Sequence, residues 1–278
     1  MFFYFQWDYM LRDNLALQIG VTFDYKRFIL HSNLMDIDGR KRMCIRDKEA
    51  ESVKDMFLDR ARLHRKGYQH RTILTIDRMI LDALLAADDH YFIQISSGQQ
   101  LKLSEACDNI EAFAQLTDEY VTRSIQFSHK PEFAPAKAIL NRISRRQLYK
   151  NVGEIEFAGK ASVPLNDAKT KLQELVEEDE GLAKEDLTIL RKRVNMGMGE
   201  KNPVEKVLFF GKSGKVKSLT SDSLRKGFPR ELNSENYIVI SRNTDEESIK
   251  IAKKIFKAWT KEIGASREDA NLSIEHRE

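Results

Sequence analysis

Only two cysteines, Cys44 and Cys107, occur in 278 residues. That count excludes a disulfide framework and a cysteine-rich zinc cage, and points to the reducing interior of a cell, nucleus or cytoplasm. No apolar run reaches the length of a membrane span. The net charge of +3 is too small for the whole chain to act as a polycation, so any anion binding must come from local patches. No glycine-rich loop matches a phosphate-cradling or dinucleotide-binding motif. There is no His-Asp dipeptide, and His64 and His70 are not spaced as a paired zinc site on one helical face. Internal repeats and low-complexity blocks are absent as well.

What is present is a soluble globular composition, 41% hydrophobic and 32% charged, long enough for one large domain or two smaller ones. The opening Met1-Phe2-Phe3-Tyr4-Phe5-Gln6-Trp7-Asp8-Tyr9 carries six aromatics but no basic segment ahead of them, so it is a poor signal peptide. It reads as a buried first helix, or as the interior of a larger domain with upstream partners.

The pattern predicts helix over residues 7–30 in two pieces, broken near Gly20. A hairpin follows from Leu34 to Ile45, turning at Asp38-Gly39. Helices are expected over 47–66 and over 69–88, where Ile73, Ile76, Ile80, Leu84 and Ala87 keep a 3.6-residue period. A small hairpin is expected around Ser96-Ser97-Gly98, then helices over 104–127 and 132–145. After residue 150 the character changes. Strands are expected at 152–158, 204–210 and 237–241. A last helix should start at a Thr244/Glu247 capping box and end at Gly264. The fold class is therefore mainly α with a smaller C-terminal α+β lobe: 1–150 a helical lobe, 151–264 the α+β lobe, 265–278 a disordered tail.

Between Thr22 and Thr75, thirteen Lys/Arg face eight Asp/Glu. Arg60, His64, Tyr68 and Arg71 would share one face of a continuous helix, with Gly67 a point of bending. Guanidinium forks suit phosphate oxygens, and Tyr and Arg planes suit a base or sugar. The same face also reads as a solvated surface laced with ion pairs, such as Asp55 and Asp59 with Arg62. Asp88-Asp89-His90 is a weak metal-ligand candidate at a helix end.

An ordered series of segments narrows these alternatives. It runs Trp7-Asp8-Tyr9-Met10-Leu11-Arg12-Asp13, Phe23-Asp24-Tyr25-Lys26-Arg27-Phe28, Arg46-Asp47-Lys48-Glu49, Asp55-Met56-Phe57, Leu63-His64-Arg65, Tyr68-Gln69-His70 and Ala87-Asp88-Asp89. It continues with Glu111-Ala112-Phe113, Leu116-Thr117-Asp118, Lys150-Asn151-Val152-Gly153-Glu154 and Glu200-Lys201-Asn202-Pro203. From Trp7 to Trp259 the chain resembles the C-terminal half of the vertebrate SAM-and-HD-domain deoxynucleoside triphosphate triphosphohydrolase family.

The resemblance implies that residues 1–150 are the remainder of an HD-type helical domain. It implies a substrate pocket with Tyr9 and Arg60 on the triphosphate, and Asp13, Tyr68 and Gln69 on the sugar. It also implies activator sites for GTP and dNTPs, with Arg27 stacking on a base and Arg46, Lys48, His70 and Arg71 lining phosphates. Arg146 and Lys150 would reach in from a neighbouring subunit of a tetramer, and Lys212 would add a phosphate contact. The family uses a divalent metal (Zn, Fe or Mg) and serves dNTP-pool control and antiviral defence.

The departures are specific. Phe5 stands where the last metal-ligating Asp belongs, and Gln6 where a phosphate-binding Lys belongs. The other metal ligands fall upstream of Met1, Ser52 replaces an activator-site Asn, and no Thr-Pro marks the tail. The expectation is a chain with no catalytic or metal residues of its own that still binds nucleotides. Two alternatives accompany it: a non-catalytic regulatory or interaction module that co-assembles, as a homo- or hetero-oligomer, with a full-length relative, and a single-stranded nucleic-acid binder.

Overall fold

The structure is a computed structural model, and it describes residues 2–158, 163–179, 181–218, 233–264 and 270–272. The chain opens with α1 (Phe2–Leu17) and α2 (Tyr25–Leu30), the latter capped by Asp24, whose carboxylate accepts from the amides of Lys26 and Arg27. The hairpin β1 (Ser32–Ile37) and β2 (Arg40–Arg46) follows, as the Asp38-Gly39 turn predicts; both turn residues have positive φ. A short 3-10 turn (Asp47–Glu49) leads into α3 (Ala50–Leu63).

The helix expected over 47–66 is thus three pieces, because residues His64–Tyr68 form a π-helical turn. A fresh helix, α4 (Arg71–Ala87), starts after His70. The continuous face proposed for Arg60, His64, Tyr68 and Arg71 is therefore broken. Arg60, His64 and Tyr68 stay together, while Arg71 belongs to the first turn of the next helix. Gly67 is buried where α1 crosses, and a Cβ there would sit 2.9 Å from Leu17 Cδ1. A larger residue there would have to push aside the ends of the Leu17 and Ile19 side chains.

Next come β3 (Phe92–Gln94) and β4 (Gln100–Lys102), then α5 (Ile110–Ala114), α6 (Asp118–Phe127) and α7 (Ala134–Ser144). The helix expected over 104–127 is broken by caps at Asn109 and Thr117, whose side chains accept amide hydrogen bonds and start new helices.

The remaining elements are β5 (Lys150–Ala158), α8 (Leu165–Glu177), β6 (Leu187–Asn195), β7 (Leu208–Phe210), β8 (Val216–Ser218), β9 (Asn233–Ser241), α9 (Glu246–Glu262) and β10 (Ala270–Leu272). Helix α8 and strand β6 lie in a stretch where no regular element was expected. The strand expected over 204–210 begins only at Leu208. Asn202 caps a 3-10 turn over Pro203–Lys206 instead. The cap of α9 is Asp245, accepting from the Ser248 amide, rather than the Thr244/Glu247 box, and Gly264 ends it with φ +71°. Within the tail expected to be disordered, Ala270–Leu272 pair antiparallel with β5; the rest of 265–278 lies outside the described residues.

Two sheets organise these elements. One has the order β10-β5-β9-β6, all antiparallel, with α8 and α9 over it. Its core holds Trp259, Phe256, Tyr237, Val239 and Leu172. Gly153 sits at a bulge in β5, where a Cβ would fall 2.4 Å from the Phe256 ring. The other sheet has the order β1-β2-β7-β8, and its central pair, β2 with β7, is parallel. That pairing joins residues from both sides of the boundary expected near residue 150. The core beneath it does the same, packing Trp7, Met10, Phe28, Met56 and Leu63 with Val194, Met196, Val204 and Phe209. Burying side chains of this size removes on the order of 1.5–3 kcal/mol of apolar exposure each, so this seam is a structural core. A third core, with Ala83, Tyr91, Ile125, Phe133 and Leu140, belongs to α4–α7 alone.

Candidate functional site

Five side chains from three neighbouring elements meet beside α1. Tyr9 and Asp13 lie one turn apart on α1, Arg60 ends α3, and His64 and Tyr68 bracket the π turn. The Tyr68 hydroxyl donates to Asp13 Oδ2 at 2.5 Å. Its ring meets Tyr9 edge-on, centroids 6.3 Å apart, and His64 edge-on at 4.9 Å. Burial first, and then the Asp13 carboxylate, push the Tyr68 hydroxyl well above the ordinary phenol range, so it remains a donor at every physiological pH.

His64 is shifted down to about 4, by burial and then by the nearby Arg60 guanidinium, so its imidazole is neutral near pH 7. Arg60 Nη1 donates to the Asn195 carbonyl at 2.7 Å, which orients the fork. Arg60 Nε is buried and has no hydrogen-bond partner among the described residues. A buried donor on a cation is costly to leave unpaired.

Gln69 is placed beside this cluster but is engaged elsewhere. Its side-chain amide donates to the Arg193 carbonyl and accepts from the Arg193 amide, both at 2.7 Å, on the outer edge of β6. These two bonds clasp the π turn to the C-terminal sheet.

The expected activator residues fall into separate groups. Arg27 makes a bidentate pair with Glu49, Nε to Oε2 at 2.6 Å and Nη2 to Oε1 at 2.9 Å, which fixes the plane of the guanidinium while its side chain stays 53% exposed. Glu49 is 1% exposed and also accepts from Ser52 Oγ at 3.2 Å, so the replaced activator-site position belongs to this network. The Arg27 contact is the main reason that the Glu49 carboxyl lies below its usual range.

Arg46 lies over the Phe210 ring at 5.5 Å, tying β2 to β7. Asp47 pairs with Lys217 at 2.9 Å, while Lys48 and, in the β7–β8 turn, Lys212 are exposed. His70 caps α4, its Nδ1 accepting from the Thr72 amide at 3.3 Å, with exposed Arg71 next to it. Burial, then Arg71 and Lys192, lower the His70 pKa. Arg146 (φ +60°) and Lys150 are exposed in the α7–β5 connection, and among the described residues no side-chain bond joins them to the other candidates.

Sequence reasoning missed Glu49, Asn195 and Arg193. The last two contribute only backbone groups, which carry no residue-specific signal, and an acidic residue after Arg46 does not announce its burial. Asp88 and Asp89 are occupied structurally. Asp88 receives the Ser104 amide and hydroxyl, each at 2.8 Å, and Asp89 pairs with Lys102 at 2.6 Å.

The ordered segments agree with the comparisons. The chain is 36% identical over 261 residues to the deoxynucleoside triphosphate triphosphohydrolase SAMHD1 of Danio rerio, covering 91% of this chain and 42% of that protein. It is 34% identical over 262 residues to the Homo sapiens protein of the same name, again covering 91% and 42%. The chain is a relative of these triphosphohydrolases. A more distant SAMHD1 homolog, from Dictyostelium discoideum, is 25% identical over 243 residues, 87% of this chain and 44% of its own length. No family model matches the chain. The chain spans about two fifths of the length of the curated SAMHD1 relatives it matches.

Among the described residues, no group of three His, Cys, Asp or Glu side chains stands close enough to hold an ion. Beside Tyr9 the sequence supplies Phe5 and Gln6, neither of them an anionic ligand. No described helix is long and apolar enough to cross a membrane.

Proposed function

We propose that this relative of the SAMHD1 triphosphohydrolases is a nucleotide-binding module, derived from an HD-type domain, that grips a dNTP beside α1 and does not hydrolyse it by itself. The buried, unpartnered Arg60 Nε carries this reading. Arg60 supplies the phosphate grip, and Tyr9 and Tyr68 supply flat faces for sugar and base. Neutral His64 adds no competing charge. The basic residues Arg46, Lys48, His70, Arg71 and Lys212 would serve GTP or dNTP activators, with Arg146 and Lys150 acting on a neighbouring subunit of an oligomer. Hydrolysis of a triphosphate ester needs a polarising, nucleophile-generating centre, and positioning side chains do not replace one. A link to dNTP-pool control and antiviral defence follows from the relatives by analogy.

Calorimetric titration of the full chain with dATP tests the reading. Saturable binding that weakens at least tenfold in Arg60→Gln is expected, without release of triphosphate. Binding insensitive to Arg60→Gln removes the proposed site, and triphosphate release by the purified chain removes the proposed inactivity.

A second reading, an interaction module, draws on the exposed apolar residues Leu85, Ile110, Phe113 and Phe127 among α4–α6, an unusual density for a free surface. Light scattering of the chain alone and mixed with a full-length relative separates the two. A monomer that never enters the larger assembly would end this second reading.

A further inference from the structure

A cationic pocket lies where α4, α8 and β6 meet, and it shares no residue with the Tyr9–Arg60–Tyr68 cluster. An open cavity of about 230 Å³ is lined by Arg78, Lys169, Gln173, Lys184, Thr188 and Arg242 above apolar Leu172, Leu187 and Ile189. Four lining cations face one lining carboxylate, the exposed Glu185.

The cations are held in place. Buried Asp82 accepts from Arg78 Nε at 2.8 Å on Oδ1, and from the Tyr149 hydroxyl at 3.0 Å and Arg242 Nη2 at 2.9 Å on Oδ2. One carboxylate thus fixes two guanidinium groups side by side and neutralises only one charge. Arg142 Nη2 donates to the Arg242 carbonyl at 3.1 Å, which fixes the backbone beneath. Arg242 Nε is buried with no hydrogen-bond partner among the described residues. Lys184 leans on Glu177 at 2.5 Å, whereas Lys169 on α8 makes no ion pair among the described residues.

We propose that this cavity binds a compact multiply charged phosphate anion, of the class of inorganic pyrophosphate or triphosphate. Two fixed forks, the unpaired ammonium of Lys169 and the Glu177-paired ammonium of Lys184 match phosphate oxygens, which accept several charge-assisted hydrogen bonds at once. The cavity is smaller than the roughly 300–1,000 Å³ typical of drug-sized ligands. No aromatic side chain lines it, so it offers no stacking face for a nucleobase. Asp82 is a positioning residue: it sets the forks without touching the ligand.

The test is calorimetric titration of the full chain with sodium triphosphate at low salt. Lys169→Glu, at an exposed position with no ion pair among the described residues, should weaken binding at least tenfold with an unchanged thermal midpoint. Arg242→Gln should weaken it too, and raised salt should lower the affinity of the unmodified chain. Arg60→Gln, which the dNTP reading requires to weaken dATP binding at least tenfold, should leave triphosphate binding in place, so failure of one proposal is distinguishable from failure of the other. Absence of saturable triphosphate binding overturns the proposal, as does an affinity unchanged in both Lys169→Glu and Arg242→Gln. Binding of a single-stranded oligonucleotide without binding of free triphosphate overturns it as well.

Discussion

The Tyr68 hydroxyl donates to the Asp13 carboxylate at 2.5 Å across 55 residues of sequence, and so joins the π turn to α1. A hydrogen bond to a charged partner contributes on the order of 1.5–3 kcal/mol. Tyr68→Phe should destabilise the chain by about that amount in urea unfolding, and should weaken dATP binding through the loosened Asp13. Unchanged unfolding would show that the bond contributes nothing in solution.

Gln69 bridges both polar groups of Arg193 on the open edge of β6. Gln69→Ala removes both bonds, each worth roughly 0.5–1.5 kcal/mol. The Arg193 amide should then exchange with solvent much faster, while amides in the β6–β9 ladder keep their protection. Hydrogen exchange resolved by residue reads this directly. An Arg193 amide with unaltered protection would mean that the clasp does not form.

Removing Arg27 strands a buried carboxylate. Arg27→Ala should cost about 1.5–3 kcal/mol, and adding Glu49→Gln should recover part of that loss, a coupling that a double-mutant cycle measures. Because the folded Glu49 pKa is depressed, mainly by Arg27, its stabilisation is present above the unfolded value of 4.5 and is lost as pH falls through the folded one. Acid unfolding should therefore shift to higher pH in Arg27→Ala.

His64 titrates in a different window. Its folded value, about 4, lies below the ordinary 6.5 because burial and Arg60 disfavour the cation. Between those values the unfolded chain binds the extra proton, so stability should decline as pH falls from 6.5 towards 4. His64→Gln should flatten that part of the profile in thermal melts from pH 7 to pH 4. A parallel profile in the variant would place the pH dependence elsewhere, and His70, shifted in the same direction, is the first alternative.

Local pattern in the sequence was sufficient for the Asp38-Gly39 hairpin, the amphipathic α4 and the stripe of α9. In each case a single periodicity and its end signals agree. Leu165, Ala168, Leu172 and Val176 also keep helical spacing, so α8 was legible there and went unassigned. Strand β6 was not, because Arg191, Lys192 and Arg193 mask its alternation.

The ordered motifs by themselves also determined the kinship with the triphosphohydrolases and the candidate residues Tyr9, Asp13, Arg60 and Tyr68. Only the tertiary structure decided that β2 pairs in parallel with β7, more than 160 positions away. It alone showed that the helix after Leu63 widens into a π turn and restarts at Arg71, that Arg27 is committed to Glu49, and that Asp82 sets two arginines around a cationic pocket. The physical reason is range. Helix and turn preferences are written in neighbouring residues, whereas strand partners and the pairing of buried charges depend on which distant groups the packed cores bring within hydrogen-bond reach.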